Sequence, residues 1–229
     1  VVVLSGKVRV ESVTAKLSAS GEGPLMTVTA TGKAVAASVD ALARQYPDAA
    51  AVPLARADIA RLRRFLDNLL DMVRLDTGAL VISPEAIDLT DAVASAVHDL
   101  KDLLRGVHID LQVPVDLPLV RADPTLLHHV LINLLANAAI HGGDGRVAII
   151  GKRMPDAVLL AVRDHGPGLE AGSEKRVFDT FAQGRGSDRS GGSGLGLAIA
   201  KGFAEAMQVG IAARNHPDGG AEFSLAFAV

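Results

Sequence analysis

The sequence predicts an α+β protein in two parts: an N-terminal helical hairpin over residues 1–80, then a two-layer α/β sandwich over residues 81–229. Three observations carry this. Leu25, Val28, Gly32, Val35, Val39 and Leu42, and again Ile59, Leu62, Leu66, Leu69 and Val73, recur in steps of three and four, the spacing of a helix seam. Beyond residue 80, helix-spaced segments interleave with alternating ones, as expected where one helix layer covers one sheet. Glycine-rich stretches then fall where strands end or helices begin, at Asp164–Gly168, Gly191–Leu197 and Gly219–Gly220.

In chain order, Val10, Val13 and Leu17 have helical spacing, and Ser20-Gly21-Glu22-Gly23-Pro24 interrupts them. The first seam follows, although the alternation of Thr27, Thr29 and Thr31 also suits a strand. Tyr46–Pro47 to Val52–Pro53 marks a loop. On the second seam, Arg61, Arg63, Arg64, Asp67 and Asp71 cover the outer side, and Gly78 closes it. Two antiparallel seamed helices cannot bury their stripes alone, so residues 24–77 predict a homodimer through a four-helix bundle. A monomeric hairpin packed on the rest of the chain is the other solution.

In the second part, Ala79–Ser83 predicts a short strand and Asp88–Leu104 a helix with Leu89, Val93, Ala96, Val97 and Leu100 inward. His108–Val113 alternates as a strand. Asp123-Pro124 then opens a helix as N-cap and first-turn proline, and the Gly142-Gly143 pair stops it. Leu127, Val130, Leu131, Leu134 and Leu135 are its core face. Arg146–Lys152 and Ala157–Asp164 predict strands about a turn at Met154-Pro155-Asp156. Ser193–Met207 predicts a helix, and Val209–Arg214 and Ala221–Val229 predict closing strands.

Composition excludes several function classes. Hydrophobic residues make up 49% of the 229 and charged residues 21%, which describes a globular protein. A net charge of −3, with aromatics at 3% and no Trp, argues against a nucleic-acid partner or direct membrane contact. There are no cysteines, hence neither disulfides nor thiolate metal sites, which fits a reducing, cytoplasmic setting. No apolar run reaches membrane-spanning length. The chain begins at Val1 rather than Met, which leaves room for a membrane sensor upstream.

The chemistry centres on the Asp123–Gly143 helix. Asn133 and Asn137 lie four apart and share one side of it, and amides between Leu-rich turns are costly unless something binds them. Asn137 can place an amide oxygen on Mg²⁺, which takes few protein ligands. Asp164, at a strand end and followed by Gly166 and Gly168, can accept a hydrogen bond from an exocyclic amine such as that of adenine. Gly192-Ser193-Gly194-Leu195-Gly196 enters a helix whose open N–H groups can cradle phosphate. It is neither a Walker P-loop nor a dinucleotide fingerprint, since no Lys-Ser/Thr follows and no strand leads in. Residues 182–191 read as a lid whose Arg185 and Arg189 reach phosphate. His128 and His129 read as structural, and His165 as a contact at the pocket edge.

Residues from about 54 to 229 resemble a sensor histidine kinase, whose ATP-binding fold is shared with gyrase, Hsp90 and MutL. Asn133-Leu-Leu-Ala-Asn137-Ala is similar to the N box, Asp164-His-Gly-Pro-Gly168 to the first glycine box, and Phe178-Asp-Thr-Phe181 to the F box. Gly192-Ser-Gly-Leu-Gly-Leu197 is similar to the second glycine box, and Gly219-Gly-Ala-Glu-Phe223 to the terminal one. The resemblance implies an ATP cofactor with Mg²⁺ between the Asn helix and the lid: Asn137 on the metal, Asp164 on the adenine amine, and Gly166, Gly168, Gly194 and Gly196 in close backbone contact. In ATP-hydrolysing relatives a Glu four residues before the Mg-binding Asn activates water. Asn133 stands there, and an amide cannot act as that base, which favours phosphoryl transfer.

The chain departs from that family at its phosphoacceptor box, a His followed after several residues by Pro-Leu. The corresponding stretch is Ser20-Gly21-Glu22-Gly23-Pro24-Leu25, with Gly21 at the histidine's place, and the earliest histidine is His98. Ile140 stands where such kinases often carry Lys or Arg, and His141 replaces a common Tyr. The expectation is therefore a two-component kinase-type protein that binds Mg-ATP without phosphorylating the usual histidine, with a response regulator or partner kinase as its target. A dimeric docking regulator without catalysis is the alternative. A Ser/Thr-directed kinase of the anti-sigma type is disfavoured by the long hairpin.

Overall fold

The computed structural model describes residues 80–180 and 194–228, the helical residues Asp71, Val73 and Leu75, and two short strands near the start. The chain divides into two units, Val1–Leu70 and Asp71–Val229. In the first, β1 (Val2–Leu4) and β2 (Lys7–Arg9) pair antiparallel, with Val3 opposite Val8. The sequence pattern gives no warning of this pair. Gly21, the first seam and all of the second before Asp71 lie outside the described residues.

The second unit runs β3 (Glu85–Ile87), α1 (Leu89–Asp99), β4 (His108–Gln112), β5 (Val120–Ala122), α2 (Pro124–His141), β6 (Arg146–Arg153) and β7 (Ala157–Asp164). A 3₁₀ turn (Arg176–Phe178), α3 (Gly196–Ala206), β8 (Gly210–Asn215) and β9 (Ala221–Ala228) complete it. Five strands form one sheet in the order β4-β6-β7-β9-β8. β4 and β6 are parallel and the other pairs antiparallel. β3 and β5 make a separate antiparallel pair, with Ala86 opposite Arg121.

Alternation explains the layering. Val147 and Ile149 of β6, Val158, Leu160 and Val162 of β7, and Phe223, Leu225 and Phe227 of β9 are buried at successive odd or even positions, so one face of the sheet is apolar. Three helices cover it. α2 lies between α1 and α3 and buries Leu126, Leu127, Val130, Leu131, Leu134, Leu135 and Ala138, a stripe wide enough for a sheet below and helices on both sides. Leu89, Val93, Ala96 and Leu100 are buried as the spacing predicts, while Val97 is half-buried.

Five expectations need correction. Residues 80–84 form no strand, and pairing starts at Glu85. The amide of Ser83 is taken by the Asp123 side chain at 2.9 Å, and Pro84 has no amide to give. α1 ends at Asp99 rather than Leu104, in turns that reach Gly106 at φ +85°. α3 starts at Gly196 rather than Ser193, because Gly194 at φ +66° lies outside right-handed helix space. Asp71 is not on a solvated outer side: it is 4% exposed, and the Nδ1 of His129 lies 2.8 Å from its carboxylate. Val73, expected on a buried seam, is 40% exposed.

Candidate functional site

α2 is the spine of the site. Its start is fixed by Asp123, which accepts from the amides of Thr125 (2.9 Å) and Leu126 (3.0 Å) with one oxygen and from Ser83 with the other. Burial raises the Asp123 pKa, but these three N–H donors outweigh it and hold the carboxyl below its usual value. Near the middle, Asn133 Nδ2 donates to the His129 carbonyl at 3.0 Å. A Cβ added to Gly196 would meet Asn133 Oδ1 at 2.9 Å, so this amide packs against the first residue of α3. One turn on, the half-buried Asn137 has no hydrogen-bond partner among the described residues. The helix ends with exposed Ile140 and His141 and a cap at Gly142.

That end abuts the loop after β7. Asp164 is 3% exposed, and its Oδ1 accepts from Gly166 N (2.9 Å) and Ala221 N (3.0 Å). Its other oxygen has no donor among the described residues. The surrounding glycines are required by protein rather than by open space. A side chain at Gly166 would collide with the His141 carbonyl, and one at Gly220 (φ +84°) with the Asp164 carbonyl. Gly168 (φ +77°) faces Asn215 Oδ1 at 2.6 Å from where its Cβ would stand. Asn215 in turn accepts from Leu169 N (2.6 Å) and donates to Leu169 O (2.9 Å), clamping this loop to the end of β8.

α3 enters differently from its neighbours. Asp88 and Asp123 cap α1 and α2 through side-chain bonds, whereas the residue at the N-cap position of α3, Leu195, has an apolar side chain that cannot do so. The first amides of such a helix point outward and favour an anion. Leu195, just before it, buries its side chain in the core. Phe178 packs edge-on against Phe223, with centroids 6.2 Å apart, tying the 3₁₀ turn to β9. Asn133 touches Gly196, His141 touches Gly166, Ala221 holds Asp164 and Phe178 meets Phe223, so these contacts tie all five glycine- and asparagine-bearing or aromatic motifs into one cluster. Among the described residues the arrangement offers an open carboxylate oxygen, an unpartnered side-chain amide and a helix start entered through glycines. Those are the groups that an amine, a hard cation and a phosphate chain need.

Of the residues singled out in the sequence, Asn133, Asn137, His141, Asp164, Gly166, Gly168, Gly194, Leu195 and Gly196 are described. Phe181, Gly192 and the expected lid over residues 182–191 with its Arg185 and Arg189 lie outside the described residues. His165 lines a shallow groove on the sheet's open face with His108, Asp110, Arg146 and Arg163. His128 pairs with Asp99 at 3.1 Å, and His129 with Asp71 and edge-on with Phe203, so both serve structure. Sequence reasoning passed over Asn215, Arg163 and His216, since a polar residue at a strand end carries no periodic signal. Among the described residues no helix is long and apolar enough to cross a membrane, and no group of three or more His, Asp or Glu is placed to hold a metal.

Fold and site together define a histidine kinase-type ATP-binding domain. Residues 122–229 belong to the histidine kinase-, DNA gyrase B- and HSP90-like ATPase family. Among curated relatives, the sensor protein KdpD of Escherichia coli is 35% identical over 195 residues, covering 85% of this chain and 22% of the relative. The sensor histidine kinase MtrB of Mycobacterium tuberculosis is 35% identical over 173 residues, covering 74% and 30%. The chain thus spans a third or less of the length of these curated relatives. Among solved structures, full-length ShkA in complex with AMPPNP superposes with a TM-score of 0.69 at 24% identity, covering 90% of this chain and 46% of that one. The ATP-binding domain of PrrB from Mycobacterium tuberculosis gives 0.50 at 28% identity, covering 64% and 96%.

Proposed function

We propose that the chain is the kinase portion of a two-component sensor, binding Mg-ATP for phosphoryl transfer to a residue outside its own phosphoacceptor box. The observation that carries this is the pairing of unsatisfied groups with satisfied ones at the end of α2. Asp164 spends one oxygen on the protein and keeps the other, which suits the adenine amine. Asn137 keeps its whole amide, and its oxygen is the single protein ligand that Mg²⁺ needs beside water and phosphate. The start of α3, at Gly194 to Gly196, would meet phosphate oxygens together with Gly192, and Arg185 and Arg189 are assigned to the lid expected over residues 182–191. Asn133 cannot take a proton from water, so its presence favours transfer over hydrolysis. His141, which stands where the family resemblance leads one to expect a tyrosine, substitutes in part for the cation missing at Ile140. The bound nucleotide supplies the phosphoryl group; the chain's residues hold it and exclude water.

Gly21, in place of the acceptor histidine, favours a second reading: a dimeric regulator, joined through residues 24–77, that docks a response regulator or a partner kinase in the cytoplasm without turning over ATP. One experiment separates the two. Melting is followed with and without Mg-ATP for the natural chain and for Asn137→Asp, and the chain is incubated with γ-labelled ATP alone and with partner proteins. Saturation at a hundred times the dissociation constant adds about 2.7 kcal/mol. The expected result is a clear stabilisation lost in Asn137→Asp, and no acid-labile label on the chain itself. Acid-labile label on the purified chain overturns the acceptor argument. No stabilisation at any nucleotide concentration leaves the docking reading in its place.

A further inference from the structure

Arg163 and Asp164 are consecutive on β7, so their side chains leave opposite faces of the sheet. Both end on the same structure, the turn between β8 and β9. From the inner face, Asp164 accepts the amide of Ala221. On the open face, Arg163 sends one terminal nitrogen to within 3.2 Å of His216 Nε2 and the other to 3.5 Å from the Gly219 carbonyl. The Asp218 carboxylate lies 3.9 Å away. The turn is closed by the amide of His216 on the Gly220 carbonyl (3.0 Å) and that of Gly219 on the His216 carbonyl (2.9 Å). Arginine has no acceptor, so the His216 ring must offer Nε2 as a lone pair and carry its proton on Nδ1. A neutral ring has only one lone pair, and the Asp218 amide, 3.2 Å from Nδ1, competes for it. The charged donor makes the stronger bond.

This grip is costly. The Arg163 side chain is 14% exposed, and its Nε is buried with no hydrogen-bond partner among the described residues. A half-buried guanidinium whose inner donor is left unmade is a poor way to fasten a surface turn. It is understandable if the turn must be held in one place. Gly219 and Gly220, both at positive φ, let the turn press onto the Asp164 backbone but supply no side chain to fix it.

We propose that Arg163, acting through His216, is a positioning residue for base recognition: it holds the β8–β9 turn so that the Ala221 amide occupies Asp164 Oδ1 and leaves Oδ2 directed at the purine's exocyclic amine. The inference rests on the reading of Asp164 as the adenine acceptor. Without the grip, the Ala221 amide drifts, Oδ1 is left to the Gly166 amide alone, the carboxylate is held less firmly in its orientation, and the preference for an amine over a carbonyl weakens. Phosphate contacts, which lie on other elements, are untouched.

The test is calorimetric titration of the full chain with Mg-ADP and with Mg-inosine diphosphate, which carries a carbonyl in place of the amine. Chains compared are the natural one, Arg163→Met, His216→Leu and His216→Gln, with ligand-free melting measured alongside. The natural chain should prefer ADP by about tenfold, the worth of one charge-assisted hydrogen bond. Arg163→Met and His216→Leu should lose that preference with inosine diphosphate affinity unchanged, and His216→Gln, whose amide oxygen still accepts from Arg163, should keep it. If both substitutions weaken the two nucleotides equally, or leave the ratio intact, the positioning role is overturned. Should Arg163→Met fail to fold, the His216 pair decides the matter alone. A natural chain that shows no preference for ADP overturns the adenine reading itself, and this inference with it.

Discussion

The two ends of α2 follow opposite rules. At its start the carboxylate is fully used: Asp123 satisfies three amides, one of them forty residues away, and Pro124 removes a fourth donor from the problem. Eighteen residues on, the helix ends among groups held half-used, with Asn137 unpartnered among the described residues, Asp164 engaged through one oxygen, and Ile140 and His141 exposed. One end therefore contributes stability and the other keeps chemistry in reserve. The difference also separates two uses of glycine. Those at the open end look like ligand-approach glycines in the sequence, yet Gly166 and Gly220 are obliged to be glycine by neighbouring carbonyls. The protein first has to close its own backbone around Asp164, and the proposed ligand surface is what that closure leaves.

The largest expected effect breaks the comparison at that point. Gly220→Ala forces a methyl onto the Asp164 carbonyl from φ +84°. It should cost about 3 kcal/mol in the ligand-free chain, or roughly 6–12 °C of melting temperature. Calorimetry without nucleotide checks this. A variant that melts like the natural chain but ignores Mg-ATP would return the glycine to the ligand and dissolve the distinction.

Asp123→Ala sharpens the other side. It should destabilise by about 1–2 kcal/mol at neutral pH and leave nucleotide affinity alone. Because the folded carboxyl titrates below its ordinary 3.8, its contribution is fully present above that value and is lost as pH falls through the folded pKa. Denaturation curves of the two chains should therefore stand apart at pH 7 and draw together in acid. A gap that persists at low pH would mean the cap works through packing rather than charge.

How much of this was legible follows the same division. α2 reads directly from Asp123-Pro124, five periodic leucines and valines and Gly142, because cap, period and stop agree locally. β6, β7, β8 and β9 read within two residues for the same reason. β5 was missed, since Val120–Ala122 is three residues long and exists only because Glu85–Ile87 pairs with it. The site's composition was legible as motifs, but its construction was not. Asn215 clamping Leu169, Arg163 reaching His216, and Asp71 buried against His129 all join residues 46 to 58 apart that no periodicity links. Asp71 is the instructive failure. A polar residue on a helix flank is assigned to water by default, whereas here a histidine on another helix makes the buried position acceptable.

The smallest expected effect concerns Ile140, 38% exposed on the last turn of α2, where the family resemblance leads one to expect a cation. Ile140→Lys restores that charge. At an exposed position a single new ion pair is worth at most about 1 kcal/mol, so Mg-ATP affinity should rise up to about fivefold and the gain should shrink as salt is added. A lysine in the last turn also favours the helix dipole, so the ligand-free chain should gain a few tenths of a kcal/mol or so whatever happens to the nucleotide. The two effects are separable by titrating at low and high ionic strength while following ligand-free melting. A rise in melting temperature with no change in affinity would place the phosphates away from residue 140, and would confine the open end of α2 to the metal and the base. A salt-sensitive gain in affinity would extend it to the phosphate chain, and would identify Ile140 as the position at which this chain gave up charge that its reactive end can still use.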